Sequence, residues 1–123
     1  MDRPLVGRSI LIVEDEPLIA LDIRRSFEAA GARVVVLRTL ETALAAVEDP
    51  DLSAAILDHM LGKDDSSQLC DRLKERDIPF VIHSGYRNLE GACSDGVEID
   101  KPTPPQLLVT TIAGLLRSRP ISN

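Results

Sequence analysis

The sequence predicts an α/β fold in which a mostly parallel, doubly wound sheet of five strands carries helices on both faces. Short apolar runs alternate with segments of helical periodicity along the chain of 123 residues. Runs of three or four apolar residues without strict alternation are typical of strands that are covered on both faces. Strands that alternate with helices form β–α–β units with right-handed crossovers, which places neighbouring strands parallel.

Five short apolar runs are the predicted strands. The fifth run is interrupted by Glu98 and is the weakest of them. In chain order, the runs cover residues 10–13, 34–37, 54–57, 80–82 and 97–99. Each run ends in polar or charged residues, so the strand ends are where functional side chains are to be sought.

Segments of helical periodicity separate the predicted strands. Pro17 suits the first position of a helix, and Thr39 is the expected N-cap of the next one. A third helix starts near Ser66, and Thr103 is expected to cap the last helix in a capping-box pattern. The expected apolar faces are Ile19, Ile23, Phe27 and Ala30; Leu40, Leu44 and Val47; Leu69 and Leu73; and Leu108, Ile112, Leu115 and Leu116, with Leu107 also expected mainly in the core.

Two segments carry no clear pattern. Residues 86–94 lack an apolar stripe and are expected to form a short or frayed helix, and the tail at 118–123 is expected to be disordered. The length fits one domain, and no linker, internal repeat or second domain is visible. We therefore expect residues 1–123 to form a single domain with its core at about 9–117.

Composition and charge argue against several function classes. The net charge is −6, the 14 basic residues are scattered, and only three residues are aromatic, which argues against binding nucleic acid. No apolar run approaches the roughly 20 residues of a membrane span, and the first residues lack a signal-peptide layout, so a cytoplasmic location is expected. Cys70 and Cys93 are expected to be reduced thiols at ordinary helix-face or loop positions.

Polar residues at the strand ends form the candidate site. Glu14 and Asp15 follow the first run, Asp58 the third, Ser84 the fourth and Lys101 the fifth. Ligands of open α/β sheets bind outside the carboxyl ends of the strands, so these side chains are expected to converge on one rim.

The chemistry of these residue types points to a divalent cation and a phosphoryl group. Carboxylates from two strands repel each other and need a cation, and oxygen ligands suit Mg²⁺ or Mn²⁺. Neither the two histidines nor the two cysteines have zinc-site spacing. The carboxylate of Asp58 can act as a nucleophile toward phosphorus, while Ser84 and Lys101 can contact the phosphoryl oxygens.

Four motifs, in the order found here, resemble the receiver domain of two-component response regulators. They are Ile-Leu-Ile-Val-Glu-Asp-Glu-Pro ending at Pro17, Ala-Ile-Leu-Asp ending at Asp58, Ile-His-Ser-Gly ending at Gly85, and Asp-Lys-Pro ending at Pro102. Each motif is weak alone, but the combination is specific and covers residues 9 to about 117. The resemblance implies a flavodoxin-like (βα)5 fold with strand order 2-1-3-4-5.

The resemblance also implies roles for individual residues. Asp58 matches the phosphoacceptor, Ser84 the switch hydroxyl and Lys101 the family's lysine. The bond between Lys101 and Pro102 is expected to be cis by the same resemblance.

A metal site is implied in the same way. Glu14 and Asp15 match the acidic pair of the family. Asp15 and Asp58 are expected to be direct Mg²⁺ ligands, and the backbone carbonyl of Met60 is the expected third protein ligand. The implied cofactor is therefore Mg²⁺.

Three features depart from the common receiver pattern. Residues 59–63 replace the usual Leu-Pro turn after the acceptor, and Glu98 stands where most receivers carry Tyr or Phe. The stretch 79–86 looks like that of the "FAT GUY" receivers, with His83 and Ser84 in place of Ala and Thr. His83 is expected to pack in the interior, since neighbours along a strand point to opposite faces.

The predicted function is that of a single-domain response regulator. A sensor histidine kinase or phosphotransfer protein is expected to supply the phosphoryl group in a Mg²⁺-dependent reaction. The output is expected to be binding of a protein partner or phosphorelay, with no turnover of an external substrate. Because position 98 carries Glu98 instead of an aromatic residue, this output is expected to use Tyr86 and the segment 86–95. The fifth strand and the last helix are a candidate homodimer face.

Two other functions are compatible with parts of the sequence. The altered turn at 59–63 and Glu98 would allow a receiver-like interaction module whose state does not depend on phosphate. An Asp-dependent phosphatase of the haloacid dehalogenase type usually needs Asp-x-Asp at the end of the first strand. Here Asp15 is followed by Glu16 and Pro17, which argues against that activity.

Overall fold

The fold is that of a five-stranded parallel sheet flanked by helices. We describe it from a computed structural model, for residues 3–61, 64–84, 93 and 96–117. The elements are β1 (Ser9–Val13), α1 (Pro17–Ala29), β2 (Arg33–Leu37), α2 (Leu40–Ala46), β3 (Ala54–Asp58), β4 (Met60–Leu61), β5 (Asp64–Asp65), α3 (Ser67–Glu75), β6 (Phe80–Ser84), β7 (Val97–Asp100) and α4 (Pro105–Arg117).

The strand order of the sheet confirms the predicted topology. The order is β2-β1-β3-β6-β7 with every pairing parallel, which corresponds to 2-1-3-4-5 among the five predicted strands. β1 and β3 lie at the centre and are buried at every position. Central strands covered on both faces explain why their sequences are continuous apolar runs rather than alternating ones.

Two apolar layers hold the helices on the sheet. Alternate residues of β1 face opposite layers, as strand geometry requires: Ile10 and Ile12 face α1 and α4, whereas Leu11 and Val13 face α2 and α3. Among the residues that the structure describes, Phe27 is the largest fully buried side chain, and it belongs to the first layer. The strand ends therefore lie between two buried apolar layers.

The helix starts agree with the sequence except in the last helix. Pro17 begins α1, and the Thr39 hydroxyl accepts a hydrogen bond of 3.2 Å from the Thr42 amide at the start of α2. The expected cap at Thr103 is wrong, because α4 begins at Pro105 and the Thr103 hydroxyl donates to the Asp100 carbonyl instead. Leu107 was expected in the core but is 49% exposed, because it projects away from the buried face of α4.

The chain after Asp58 forms a feature that the sequence did not predict. β4 and β5 pair antiparallel, with Met60 opposite Asp65 and Leu61 opposite Asp64. The predicted helix at 86–94 and the tail at 118–123 lie outside the described residues, apart from Cys93. In the described part of the chain, no helix is both long enough and apolar enough to cross a membrane.

The two cysteines form a disulfide bond, so the expectation of reduced thiols at unconnected positions is wrong. Cys70 lies in α3 and Cys93 lies between β6 and β7, 23 positions later, with their Cα atoms 5.0 Å apart. Cys93 packs in the same apolar layer as Leu69 and Leu73 of α3, and only this tertiary arrangement brings the sulfur atoms together.

Candidate functional site

The register of the central strands brings the predicted site residues to one edge of the sheet. Val13 is paired with Leu57, so the residues that follow β1 lie beside the end of β3. β6 pairs with the other side of β3, and β7 pairs with β6. All four strands are parallel, so their carboxyl ends share this edge.

Three carboxylates form the centre of the site. One ligand oxygen from each of Glu14, Asp15 and Asp58 lies within 4.8 Å of the others. Glu14 is only 2% exposed, and its Oε2 accepts a hydrogen bond of 3.1 Å from the Glu16 amide. The bend after β1 thus fixes the carboxylate of Glu14, and the neighbouring Asp15 adds the carboxylate that completes the cluster.

Lys101 supplies the positive charge of the site. Its Nζ lies 3.0 Å from Asp58 Oδ1 and 3.2 Å from Glu14 Oε1, and its side chain is 25% exposed. Its backbone amide donates to the Ser84 carbonyl at 3.0 Å, directly after β7. The bond to Pro102 is cis, as predicted.

Burial and neighbouring charge alter the titration of this cluster. Burial, and after it contact with the Glu14 carboxylate, raise the pKa of Asp58 to about 7, although the Lys101 ammonium acts in the opposite direction. Burial tends to lower the pKa of Lys101, but its hydrogen bond to Asp58 and the two negative charges outweigh this and raise it. The ammonium stays charged at neutral pH while Asp58 is poised between its two forms.

Ser84 and His83 end the neighbouring strand β6. Ser84 is buried, and its position in the sheet is opposite Asp100. His83 is buried in register with Asp58, and neither of its ring nitrogens has a hydrogen-bond partner. Burial and the charge of Lys101 lower the pKa of His83, while Glu14 acts in the opposite direction. A neutral, buried imidazole agrees with the packing role expected for His83.

Ser66 is a site residue that the sequence analysis missed. It is fully buried, and its hydroxyl donates to the backbone carbonyl of Asp58. Its amide donates to the His59 carbonyl at 3.0 Å, which closes the β4–β5 hairpin. A serine just before a helix indicates only where the helix starts. No local sequence signal predicts that Ser66 binds the backbone of the strand that carries Asp58.

The donor set fits a divalent cation with a preference for oxygen ligands. Carboxylates at this separation suit Mg²⁺, which is bound by one or two carboxylates together with water. Met60 lies in β4, and the role of its carbonyl as a third ligand stays a prediction.

Comparisons with known proteins agree with this arrangement. The response regulator receiver domain family matches residues 10–113. The two-component response regulator PprB of Pseudomonas aeruginosa is 31% identical over 121 residues, which cover 89% of this chain and 44% of PprB. The chain spans about half the length, or less, of the curated relatives it matches.

Solved structures match over almost their whole length. SdrG from Sphingomonas melonis Fr1 is 37% identical with a TM-score of 0.76, covering 92% of this chain and 98% of SdrG. A CheY-like receiver domain from Methanospirillum hungatei is 26% identical with a TM-score of 0.80, covering 90% of this chain and 94% of that one.

Proposed function

The chain belongs to the response regulator receiver domain family, and from this premise we propose that it accepts a phosphoryl group on Asp58 from a histidine kinase or phosphotransfer protein. The observation that carries the proposal is the contact of one ammonium, Lys101 Nζ, with Asp58 and Glu14 inside a cluster of three carboxylates. Such a cluster is costly to bury unless it serves a cation or an incoming charged group.

The transfer follows from the position of the Asp58 carboxylate. One of its oxygens attacks the phosphorus of a phosphohistidine, so that a P–O bond forms while the P–N bond breaks. The electron pair of the broken bond leaves with the histidine nitrogen. The product is an acyl phosphate on Asp58.

The surrounding side chains would stabilise the charge that this step creates. Lys101 is already within hydrogen-bond distance of Asp58 and would pair with a phosphoryl oxygen. Ser84, at the end of the neighbouring strand, would donate its hydroxyl to another oxygen. The hydroxyl of Ser66 donates to the backbone carbonyl of Asp58, which holds the acceptor residue in place.

Mg²⁺ is the proposed cofactor, and Mn²⁺ has the same ligand preference. Glu14, Asp15 and Asp58 would hold it together with the backbone carbonyl of Met60. When bound, the ion neutralises the carboxylates and orients the phosphoryl oxygens.

Phosphotransfer followed by intact-protein mass spectrometry tests the proposal. With a phosphorylated histidine kinase and Mg²⁺, the chain is expected to gain one phosphoryl group. Asp58→Asn should abolish the gain, whereas Asp22→Asn, an exposed position on α1, should leave it unchanged. Chelation of the metal should suppress transfer. A phosphoryl group on Asp58→Asn would contradict the assigned acceptor.

A phosphate-independent interaction module is the alternative, and a phosphoryl mimic separates the two. Beryllofluoride with Mg²⁺ is expected to shift the NMR amide signals of residues next to Asp58, Ser84 and Lys101. Unchanged spectra would favour the alternative. If the shifts extend across residues 86–95, they support the output segment expected from the sequence.

Receiver domains interact with histidine kinases or phosphotransfer proteins, and we propose the same class of partner here. Val97 on β7 and Leu107 on α4 are exposed apolar side chains, which supports the expected face for a homodimer or a downstream protein. The cytoplasmic location and the absence of nucleic-acid binding stay predictions from the sequence.

A further inference from the structure

The disulfide between Cys70 and Cys93 shares no residue with the acidic cluster, but the chain connects both of its ends to residues of the site. It links α3 to the connection between β6 and β7, and both residues are buried. They are the only cysteines in the sequence, so neither sulfur has another thiol in the chain to exchange with.

One end of this bond reaches the acceptor strand through two hydrogen bonds. The Cys70 amide donates to the Ser66 carbonyl at 2.9 Å, in the first turn of α3. The Ser66 hydroxyl in turn donates to the carbonyl of Asp58. The sulfur of Cys70 is therefore one helical turn away from the residue that holds the acceptor backbone.

The other end lies on the connection that joins two site residues. Cys93 falls between Ser84 and Lys101 in the chain, and its carbonyl accepts a hydrogen bond of 3.2 Å from the Gly96 amide just before β7. The Lys101 amide donates to the Ser84 carbonyl at 3.0 Å and closes this loop at the site. A covalent bond at Cys93 thus restrains the connection at a point between its two functional ends.

We propose that Cys70 and Cys93 are a reversible dithiol–disulfide couple, and that its oxidation state sets how firmly Cys93 is held against α3. This redox modification site goes beyond the proposed function and does not depend on phosphoryl transfer. The reduced form remains folded, because both residues lie in an apolar layer with Leu69, Leu73 and Phe80, where thiols pack as small apolar groups.

Thiol–disulfide exchange with a low-molecular-weight or protein thiol is the proposed reaction. In reduction, an external thiolate attacks one sulfur of the pair, giving a mixed disulfide and one protein thiolate, which takes up a proton. A second external thiolate resolves the mixed disulfide, so two external thiols become one disulfide and the protein gains two electrons and two protons. Oxidation by a small disulfide is the reverse sequence. Because both cysteines are buried, exchange requires Cys93 to separate transiently from α3.

A redox titration tests whether the couple is reversible. The protein is equilibrated in glutathione buffers of increasing reduced fraction, and the free thiols are alkylated and counted by intact mass. Both cysteines are expected to change together, from fully protected to doubly alkylated. Two thiols that stay alkylatable in excess oxidised glutathione, or a bond that no buffer reduces in the folded protein, would overturn the proposal.

Amide hydrogen exchange tests whether the bond restrains the connection. Without Mg²⁺ or phosphoryl donors, the Gly96 and Lys101 amides are expected to exchange about tenfold faster, or more, in the reduced protein. The Ile12 amide in the central strand is the internal control and should not change. Equal rates at Gly96 and Lys101, or an equal acceleration at Ile12, would refute the local coupling.

A variant without the bond provides the matched comparison. Cys70→Ala/Cys93→Ala is expected to exchange like the reduced protein and to be insensitive to the buffer. Should that variant fail to fold, the oxidised and reduced wild-type proteins still decide the question. Neither measurement uses the metal or the phosphoryl group, so failure here leaves the proposed phosphoacceptor untouched, and the reverse also holds.

Discussion

Replacing Asp58 by asparagine is expected to stabilise the metal-free protein at pH 8 but not near pH 4. The folded-state pKa of Asp58 is about 7, well above its ordinary value of 3.8, because the carboxyl is buried beside Glu14. Between these two values Asp58 holds more proton in the folded protein than in the unfolded chain, so its contribution to wild-type stability falls as the pH rises from about 4 to about 7. Asparagine cannot ionise and escapes this loss.

The size of the effect follows from the two pKa values. The gap between them corresponds to about 4 kcal/mol once the group is ionised in both states, since each pKa unit is worth 1.36 kcal/mol. The side chain of Asp58 is 11% exposed, so little of this is screened by water. We expect Asp58→Asn to raise the free energy of unfolding by about 2 to 4 kcal/mol at pH 8.

Urea unfolding at pH 4, 6 and 8 in the presence of a chelator measures this difference. Asp22→Asn is the control, because Asp22 is exposed on α1 and should give no pH-dependent gain. Adding Mg²⁺ should offset most of this difference, since a ligand at a hundred times its Kd stabilises the protein that binds it by about 2.7 kcal/mol. A gain of the same size at pH 4 and pH 8 would refute the electrostatic reasoning.

Three further predictions follow from the site and its support. Mg²⁺ binding, followed by calorimetry, should weaken by about tenfold for each pH unit below 7, because a proton on Asp58 competes with the ion; an affinity independent of pH would contradict this. Ser66→Ala should lower the free energy of unfolding by about 1 to 3 kcal/mol, because it leaves the buried Asp58 carbonyl without its donor. Gln68→Ala, at an exposed position of α3, should have no comparable effect in the same denaturation assay. Gly96→Ala should lower the melting temperature and cost about 1 to 3 kcal/mol, because the added Cβ would lie 2.6 Å from Phe80 Cδ2; wild-type stability would show that the ring moves aside freely.

The sequence alone determined the sheet, the order of its elements and the residues at the strand ends. Continuous apolar runs and the polar residues that end them are local signals, and parallel β–α–β topology carries their ends to one edge. For this reason the sequence predicts that Glu14, Asp15, Asp58 and Lys101 lie at one edge of the sheet, where the structure places them. The motifs that resemble the receiver family added the cis bond before Pro102.

Only the tertiary structure decided which distant groups touch. The hydrogen bond from Ser66 to Asp58, the β4–β5 hairpin and the disulfide of Cys70 with Cys93 depend on packing between elements, which no local pattern encodes. The raised pKa of Asp58 also depends on the tertiary structure, because its carboxylate is buried beside Glu14 only when β1 and β3 pair. Local residue patterns specify each element, but proximity across the fold arises only when the elements pack.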